Sequence, residues 1–271
     1  MDLWLETIGV FVLAAIGMFL GTLASRSGTV SRTAALTITF LLVGLVLAGR
    51  FPALLYRWPM LYPLAAGRVR FVLLVFAVTL GLSTPLAQLT RPSIRMITCI
   101  LMALFVSALV ILPFLGPAVV QDQLAALRTC FDADGVCRQT QPFTCGPAAA
   151  VTGLRQLGIK ADEGLLAVSA RTGPIIGTSP WTLYLTLRDQ YQSKGLICSF
   201  GMFDSLEDVP LDAVLLAIMQ DSAFGDHCVA VLDITRKAVI VADPALGLLT
   251  VPTAQFLQSW RGCGILLRRP A

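Results

Sequence analysis

The ten residues Gln139-Thr140-Gln141-Pro142-Phe143-Thr144-Cys145-Gly146-Pro147-Ala148 decide how this chain is read. A cysteine stands directly ahead of Gly-Pro. An alanine-rich, helix-forming run follows to about Leu157, where Gly158 is a natural stop. Proline is tolerated in the first turn of a helix, because the N–H it lacks would have no partner there. The spacing therefore predicts a helix that begins at Cys145, with the thiol at its N-terminus. The positive end of the helix dipole favours thiolate over thiol. Thiolate is the nucleophilic form, and helix N-termini recur as sites of activated cysteine. Six residues upstream, Gln139 carries a neutral amide able to donate a hydrogen bond to an oxyanion beside Cys145.

The chain has a single histidine, His227, at the start of the strand-like run His227-Cys-Val-Ala-Val-Leu-Asp-Ile234. Arg236-Lys237 marks a turn, and Ala238-Val-Ile-Val-Ala-Asp243 runs back. A hairpin centred near Thr235 is expected to set His227 opposite Asp243, within reach of a carboxylate–imidazole hydrogen bond. Cys145, His227 and Asp243 then supply nucleophile, acid/base and orienter. Asp226, beside the histidine, is the alternative orienter, although adjacent strand residues point to opposite faces. Taken singly, a strand histidine, a small buried cysteine and an Asp-Pro turn are ordinary structural features. Their joint occurrence with Gln139 is what points to catalysis.

Between these residues the pattern predicts helices over Ala161–Thr172 and from Pro180 to about Lys194, the second with Ser179 as N-cap. Strands are expected at Leu196–Met202, Ala213–Met219, His227–Ile234, Ala238–Ala242, Leu248–Val251 and Gly264–Leu267. Helices first and an antiparallel sheet afterwards is an α+β order.

Gln139-x5-Cys145-Gly-Pro-Ala148, a histidine opening a strand, and Asp243-Pro-Ala-x-Gly247 sixteen residues after it resemble the bacteriocin-processing cysteine peptidases. Those are papain-like peptidases that remove double-glycine leader peptides. The tail Pro252–Gly264, with Phe256 and Trp260, resembles that family's terminal helix and strand, so the likeness runs from about Val136 to Leu267. It implies a papain-like domain in which Cys145 is the nucleophile, His227 the acid/base, Asp243 its orienter and Gln139 an oxyanion donor. It implies no cofactor and no metal. In the best-known members the peptidase domain precedes the transporter helices and an ATPase. Here it follows the apolar half, there is no G-x-x-x-x-G-K-[ST] loop for nucleotide phosphates, and Thr144 stands where the family often has an acid.

Outward from this domain the composition changes sharply. Of 271 residues 56% are hydrophobic and 13% charged, against about 25% charged in an average soluble domain. Between Thr7 and Val120 the only charged side chains are arginines, and every acid except Asp2 and Glu6 lies at or beyond Asp122. Residues 1–122 are therefore expected to form a membrane anchor and residues 123–271 the peptidase domain. Four apolar runs suit spanning helices: Leu3–Ala24, Thr33–Gly49, Phe71–Leu89 and Met96–Val120. The first has no positive n-region and no small-residue cleavage site, so an uncleaved anchor is expected. Its Gly17-x-x-x-Gly21 is of a kind common by chance in apolar helices and is given no packing role. Pro85 and Pro113 are expected to kink the third and fourth helices. Phe51–Ala66, with three prolines, Tyr56, Trp58 and Tyr62, reads as an interfacial or re-entrant segment. No acid, lysine or histidine pair inside the spans marks a transport path, and the net charge of +4 comes largely from arginines between the helices, which gives no nucleic-acid signal.

Four spans place four arginines on each side of the membrane, so the positive-inside rule ties. Cys130-Phe-Asp-Ala-Asp-Gly-Val-Cys137 then decides sidedness. Its Asp134-Gly135 turn is expected to bring the two cysteines together as a disulfide, a bond of oxidising compartments. The expectation is an integral protein of a bacterial cell membrane with its peptidase domain on the periplasmic or external side. Its expected partners are a peptide or protein substrate, the lipid bilayer and a separate exporter. Two other readings keep the fold: an amidase or acyltransferase on cell-wall or lipid-linked substrates, and a non-catalytic peptide-binding module.

Overall fold

Long apolar segments cannot leave backbone N–H and C=O groups unpaired in lipid, so they fold as helices. The computed structural model describes residues 3–49, 58–86, 88–174, 176–221 and 225–270. Among these, four helices are long and apolar enough to cross a membrane: Leu5–Ser27, Thr29–Ala48, Val69–Leu86 and Pro92–Val119. The chain divides into two compact units, Met1–Phe51 with Pro63–Ala118 and Pro52–Tyr62 with Val119–Ala271. Of the proline-rich segment Phe51–Ala66, residues 51–57 lie outside the described residues. Pro59–Leu61 forms a 3₁₀ turn and Tyr62–Ala65 a single helical turn.

The first unit is built on α1 (Leu3–Ser27), α2 (Thr29–Ala48), α3 (Val69–Leu86) and α4 (Pro92–Val110). Gly28, at φ 115°, is the only residue between α1 and α2. That left-handed conformation suits glycine and lets the chain reverse in one step. Gly17 and Gly21 do have a packing role, contrary to the chance reading. A Cβ at Gly17 would collide with Thr79, and one at Gly21 would strike Ser83 and lie 2.6 Å from the Leu80 carbonyl. The motif is thus the face on which α1 closes against α3, whose small hydroxyl side chains complete the fit. Near the starts of both helices Arg68 Nη1 lies 3.1 Å from Glu6 Oε2, and its guanidinium also donates to the Pro113 carbonyl and covers the Phe114 ring. Pro113 sits in a π-turn, Ile111–Leu115, that interrupts the fourth span.

In the second unit the short helix Gln121–Ala125 leads to a hairpin of β1 (Cys130–Phe131) and β2 (Cys137–Arg138). Asp132 Oδ1 accepts from the Asp134 and Val136 amides, and Gly135 takes φ 81°. This turn sets Cys130 opposite Arg138 and Phe131 opposite Cys137. The expected disulfide does not form: both thiols are free, Cys130 exposed and Cys137 buried. Burial, followed by the nearby Glu163 charge, pushes the Cys137 thiol up to about 12. The outward placement of the domain loses the bridge it rested on.

Helices α5 (Cys145–Gln156), α6 (Glu163–Ser169) and α7 (Pro180–Tyr191) follow, then β3 (Ile197–Met202), β4 (Val214–Gln220), β5 (Asp226–Ile234), β6 (Ala238–Asp243), β7 (Gly247–Pro252), α8 (Thr253–Ser259) and β8 (Trp260–Arg268). The α+β class expected from the sequence is the one that forms. The six long strands make one antiparallel sheet in the order β3-β8-β4-β5-β6-β7. The last strand is longer than the four residues expected, because it lies inside the sheet and pairs with both β3 and β4. Alternate residues of the central strands (Leu215, Ala217, Val229, Val231, Val239 and Val241) form a core with Phe256 and Trp260. α5 lies on the sheet and buries Ala148, Ala149, Ala150, Val151 and Leu154. Small residues allow this approach: a Cβ at Gly153 would already stand 3.1 Å from Leu267 Cδ1.

Candidate active site

Cys145 is the first residue of α5, and Pro147 occupies the first turn as the sequence predicts. The first N–H groups of a helix have no intrahelical partners, and among the described residues the amides of Cys145 and Gly146, beside the thiol, donate no backbone hydrogen bond. The thiol itself is half-buried.

His227 enters from β5. Its Nε2 lies 3.0 Å from Asp243 Oδ1 at the end of β6. The two are not directly opposite, as the simple hairpin would have them. The turn is centred between Arg236 and Lys237 rather than near Thr235; a one-residue bulge between Val231 and Asp233 then pairs Ala230 with Ala242, and one further step sets Asp243 across from Val229. His227, two residues before Val229, meets the carboxylate on the diagonal of the same face. Across the other edge of β5, His227 pairs with Met219.

Asp243 Oδ1 also accepts from the amides of Ala245 (2.7 Å) and Leu246 (3.2 Å). Burial raises the carboxyl pKa, but the hydrogen bond and charge of His227, with those two amides, outweigh it and hold Asp243 below the usual carboxylate range. Burial likewise works against the imidazolium. Hydrogen bonds to Asp243 and Cys145, and their negative charges, overcome it and raise His227 to about 10. Nε2 is taken by Asp243, so Nδ1 is the ring nitrogen left for the Cys145 sulfur. Asp226, the alternative orienter, is engaged elsewhere: its Oδ1 accepts from Arg261 Nη2 at 2.7 Å and Nε at 3.0 Å.

Gln139 is placed from the same side as Asp243. Its amide N–H donates to the Pro244 carbonyl at 3.0 Å, and its neighbour Arg138 donates to the Ala245 carbonyl. The Gln139 side chain is largely buried, and its Oε1 has no protein partner among the described residues. The structure thus joins His227 to Asp243 by a hydrogen bond, sets Cys145 near enough for its charge to raise the His227 pKa, and ties the Gln139 backbone to the turn that carries Asp243. Among the described residues no cluster of His, Cys, Asp and Glu side chains is arranged to hold a metal ion.

One participant was missed by sequence reasoning. Glu163 is 0% exposed, and its Oε1 accepts from the Thr140 amide (3.0 Å), the Thr140 hydroxyl (3.1 Å) and the Thr144 hydroxyl (2.6 Å). The only signal for it was an acid at the start of an otherwise apolar helix, which reads as a helix-dipole residue.

A model described as the peptidase C39 family matches residues 134–271. An uncharacterized protein of Methanothermobacter thermautotrophicus is 28% identical over 148 residues, which is 55% of this chain and 98% of that protein. One from Methanothermobacter marburgensis is 29% identical over 134 residues, covering 49% and 88%. Among solved structures, the chain is similar to the peptidase domain of Streptococcus ComA, described as a bi-functional ABC transporter involved in quorum sensing. That match has 16% identity and a TM-score of 0.42, and covers 49% of this chain and 96% of that one. It is also similar to a double glycine motif protease from an AMS/PCAT transporter, solved in complex with the leader peptide. Here the identity is 16% and the TM-score 0.41, covering 54% and 96%.

Proposed function

Because the chain belongs to the peptidase C39 family, we propose that it is a membrane-anchored cysteine endopeptidase, with residues 1–122 as anchor and residues 123–271 as the catalytic domain. The observation that carries this reading is the His227–Asp243 hydrogen bond, with a cysteine at the N-terminus of α5 close enough for its charge to raise the His227 pKa. The thiolate of Cys145 attacks the scissile carbonyl carbon and forms a C–S bond. The carbonyl oxygen takes the negative charge and is stabilised by the Cys145 backbone N–H and the Gln139 side-chain amide. As the intermediate collapses, the C–N bond breaks and His227 gives its proton to the leaving amine. Water, deprotonated by His227, then hydrolyses the thioester, releasing the acid and restoring the thiolate–imidazolium pair. Asp243 holds the ring so that Nδ1 faces sulfur throughout.

The substrate is a peptide or protein met at the bilayer surface, and the same site suits removal of a leader peptide delivered to a separate exporter. Full-length protein in detergent, assayed with quenched fluorescent peptides, tests the reading. The wild type is expected to cleave and Cys145→Ala to be inactive while keeping its fold. Gln139→Ala should lower the rate by about 10²–10³, the usual cost of an oxyanion donor. Undiminished cleavage by purified Cys145→Ala would overturn the proposal.

A further inference from the structure

Among the described residues two carboxylates are buried, Asp243 and Glu163. Asp243 has its role beside His227, whereas Glu163 does not touch the reacting groups. A carboxylate is costly to take out of water unless donors surround it. Three of them converge on the single oxygen Glu163 Oε1: the Thr140 amide, the Thr140 hydroxyl and the Thr144 hydroxyl. Those two threonines begin and end the loop 140–144, whose flanks are Gln139 and Cys145. The Thr144 hydroxyl makes no cap bond to α5, although the residue stands at the N-cap position; its shortest bond is to Glu163, and it also meets the Gln141 carbonyl and amide within the loop. The Glu163 backbone is held in turn. The Glu163 amide donates to Thr129 Oγ1 at 2.9 Å, and Thr129 Oγ1 donates to Asp162 Oδ2 at 2.8 Å. At its Gln139 end the loop is tied to the Pro244 carbonyl, one residue beyond Asp243.

We propose that Glu163 is a positioning residue, which fixes the loop between Gln139 and Cys145 so that amide donor and thiol address one carbonyl. The proposal rests on the peptidase reading. The loop is short and carries one group of the site at each end. A small shift at Thr140 or Thr144 therefore changes the separation of donor and nucleophile, which is the geometry that catalysis depends on.

The test is hydrolysis by the full-length protein, with kcat expressed per titrated Cys145 thiol. Glu163→Ala should lower it by about 10- to 100-fold with KM within about threefold, the scale of loss expected when catalytic groups are misplaced. Glu163→Gln keeps an acceptor oxygen and should recover most of the rate. Thr144→Val deletes the shortest of the three bonds, together with the hydroxyl's contacts to the Gln141 backbone inside the same loop, and should fall between them; it also carries the test if Glu163→Ala does not fold. A kcat per thiol within about twofold of wild type in Thr144→Val and in folded Glu163→Ala, whatever the change in Tm, would overturn the proposal and leave Glu163 a support of the fold. Cys145 alkylation by iodoacetamide separates this outcome from failure of the peptidase reading. If the wild type cleaves no peptide, alkylation slowed by about fivefold or more in Glu163→Ala still supports positioning, whereas equal alkylation rates overturn it.

Discussion

Asp243 Oδ1 accepts three hydrogen bonds, one from His227 and two from its own turn, so the carboxylate is fixed before it orients the ring. The opposite shifts of the two partners set a pH dependence. The folded pKa of His227 lies above its ordinary 6.5, so its charged form stabilises the fold fully below about 6.5, and this contribution is lost as pH rises through about 10. The folded pKa of Asp243 lies below 3.8, so its contribution is present above that value and lost as pH falls through the lowered pKa. In Asp243→Asn the imidazole loses its charged partner, and its pKa should fall back toward 6.5. Melting curves between pH 7 and 10 should therefore show Tm falling more steeply with pH in the wild type than in the variant. Parallel slopes would contradict the assigned pair. At this scale the sequence was informative where spacing carries chemistry, as at Cys145, His227 and Asp243. It was silent on Glu163, because its partners are two loop threonines with no pattern of their own.

Elements were legible wherever one face is buried. Alternation of apolar residues placed β3 to β7 to within a residue, and Ser179 and Pro180 marked the start of α7, where the Ser179 side chain accepts from Thr182. Two features were hidden. The register of β5 on β6 depends on how two strands pair, which no local pattern encodes: the turn is centred between Arg236 and Lys237, a bulge shifts the ladder by one residue, and Asp243 comes to lie across from Val229, two positions from His227. The length of β8 depends on its two neighbours, both distant in sequence. The α1–α3 contact was under-read for a similar reason: a glycine motif becomes an interface only when a partner helix presents small side chains, here Thr79 and Ser83. Gly17→Leu or Gly21→Leu should force these helices apart and destabilise the first unit by about 1–3 kcal/mol, the usual cost of overpacking. Leu20→Ala, on an exposed face of α1, should stay within about 0.5 kcal/mol. Thermal unfolding in one detergent checks both, and equal effects at glycine and leucine positions would contradict the packing.

For the whole molecule, the division into an apolar helical half and an α+β half follows from where the acids lie, since every acid beyond Glu6 falls at or after Asp122. The hairpin that leads into the site completes its fold with reduced thiols. Exposed Cys130 should thus react with maleimide in native protein without reductant, while buried Cys137 should not until unfolding. Resistance of both to alkylation until reduction would restore the bridge. The central claim is that Cys145, activated by His227 and Asp243, is the nucleophile of a peptidase. The most direct measurement is labelling by a peptidyl acyloxymethyl ketone, with the modified residue located by mass spectrometry among the seven cysteines. A single adduct on Cys145 is expected, lost in His227→Ala and in Cys145→Ala. Label spread over exposed thiols such as Cys130, or an undiminished Cys145 adduct in His227→Ala, would contradict it.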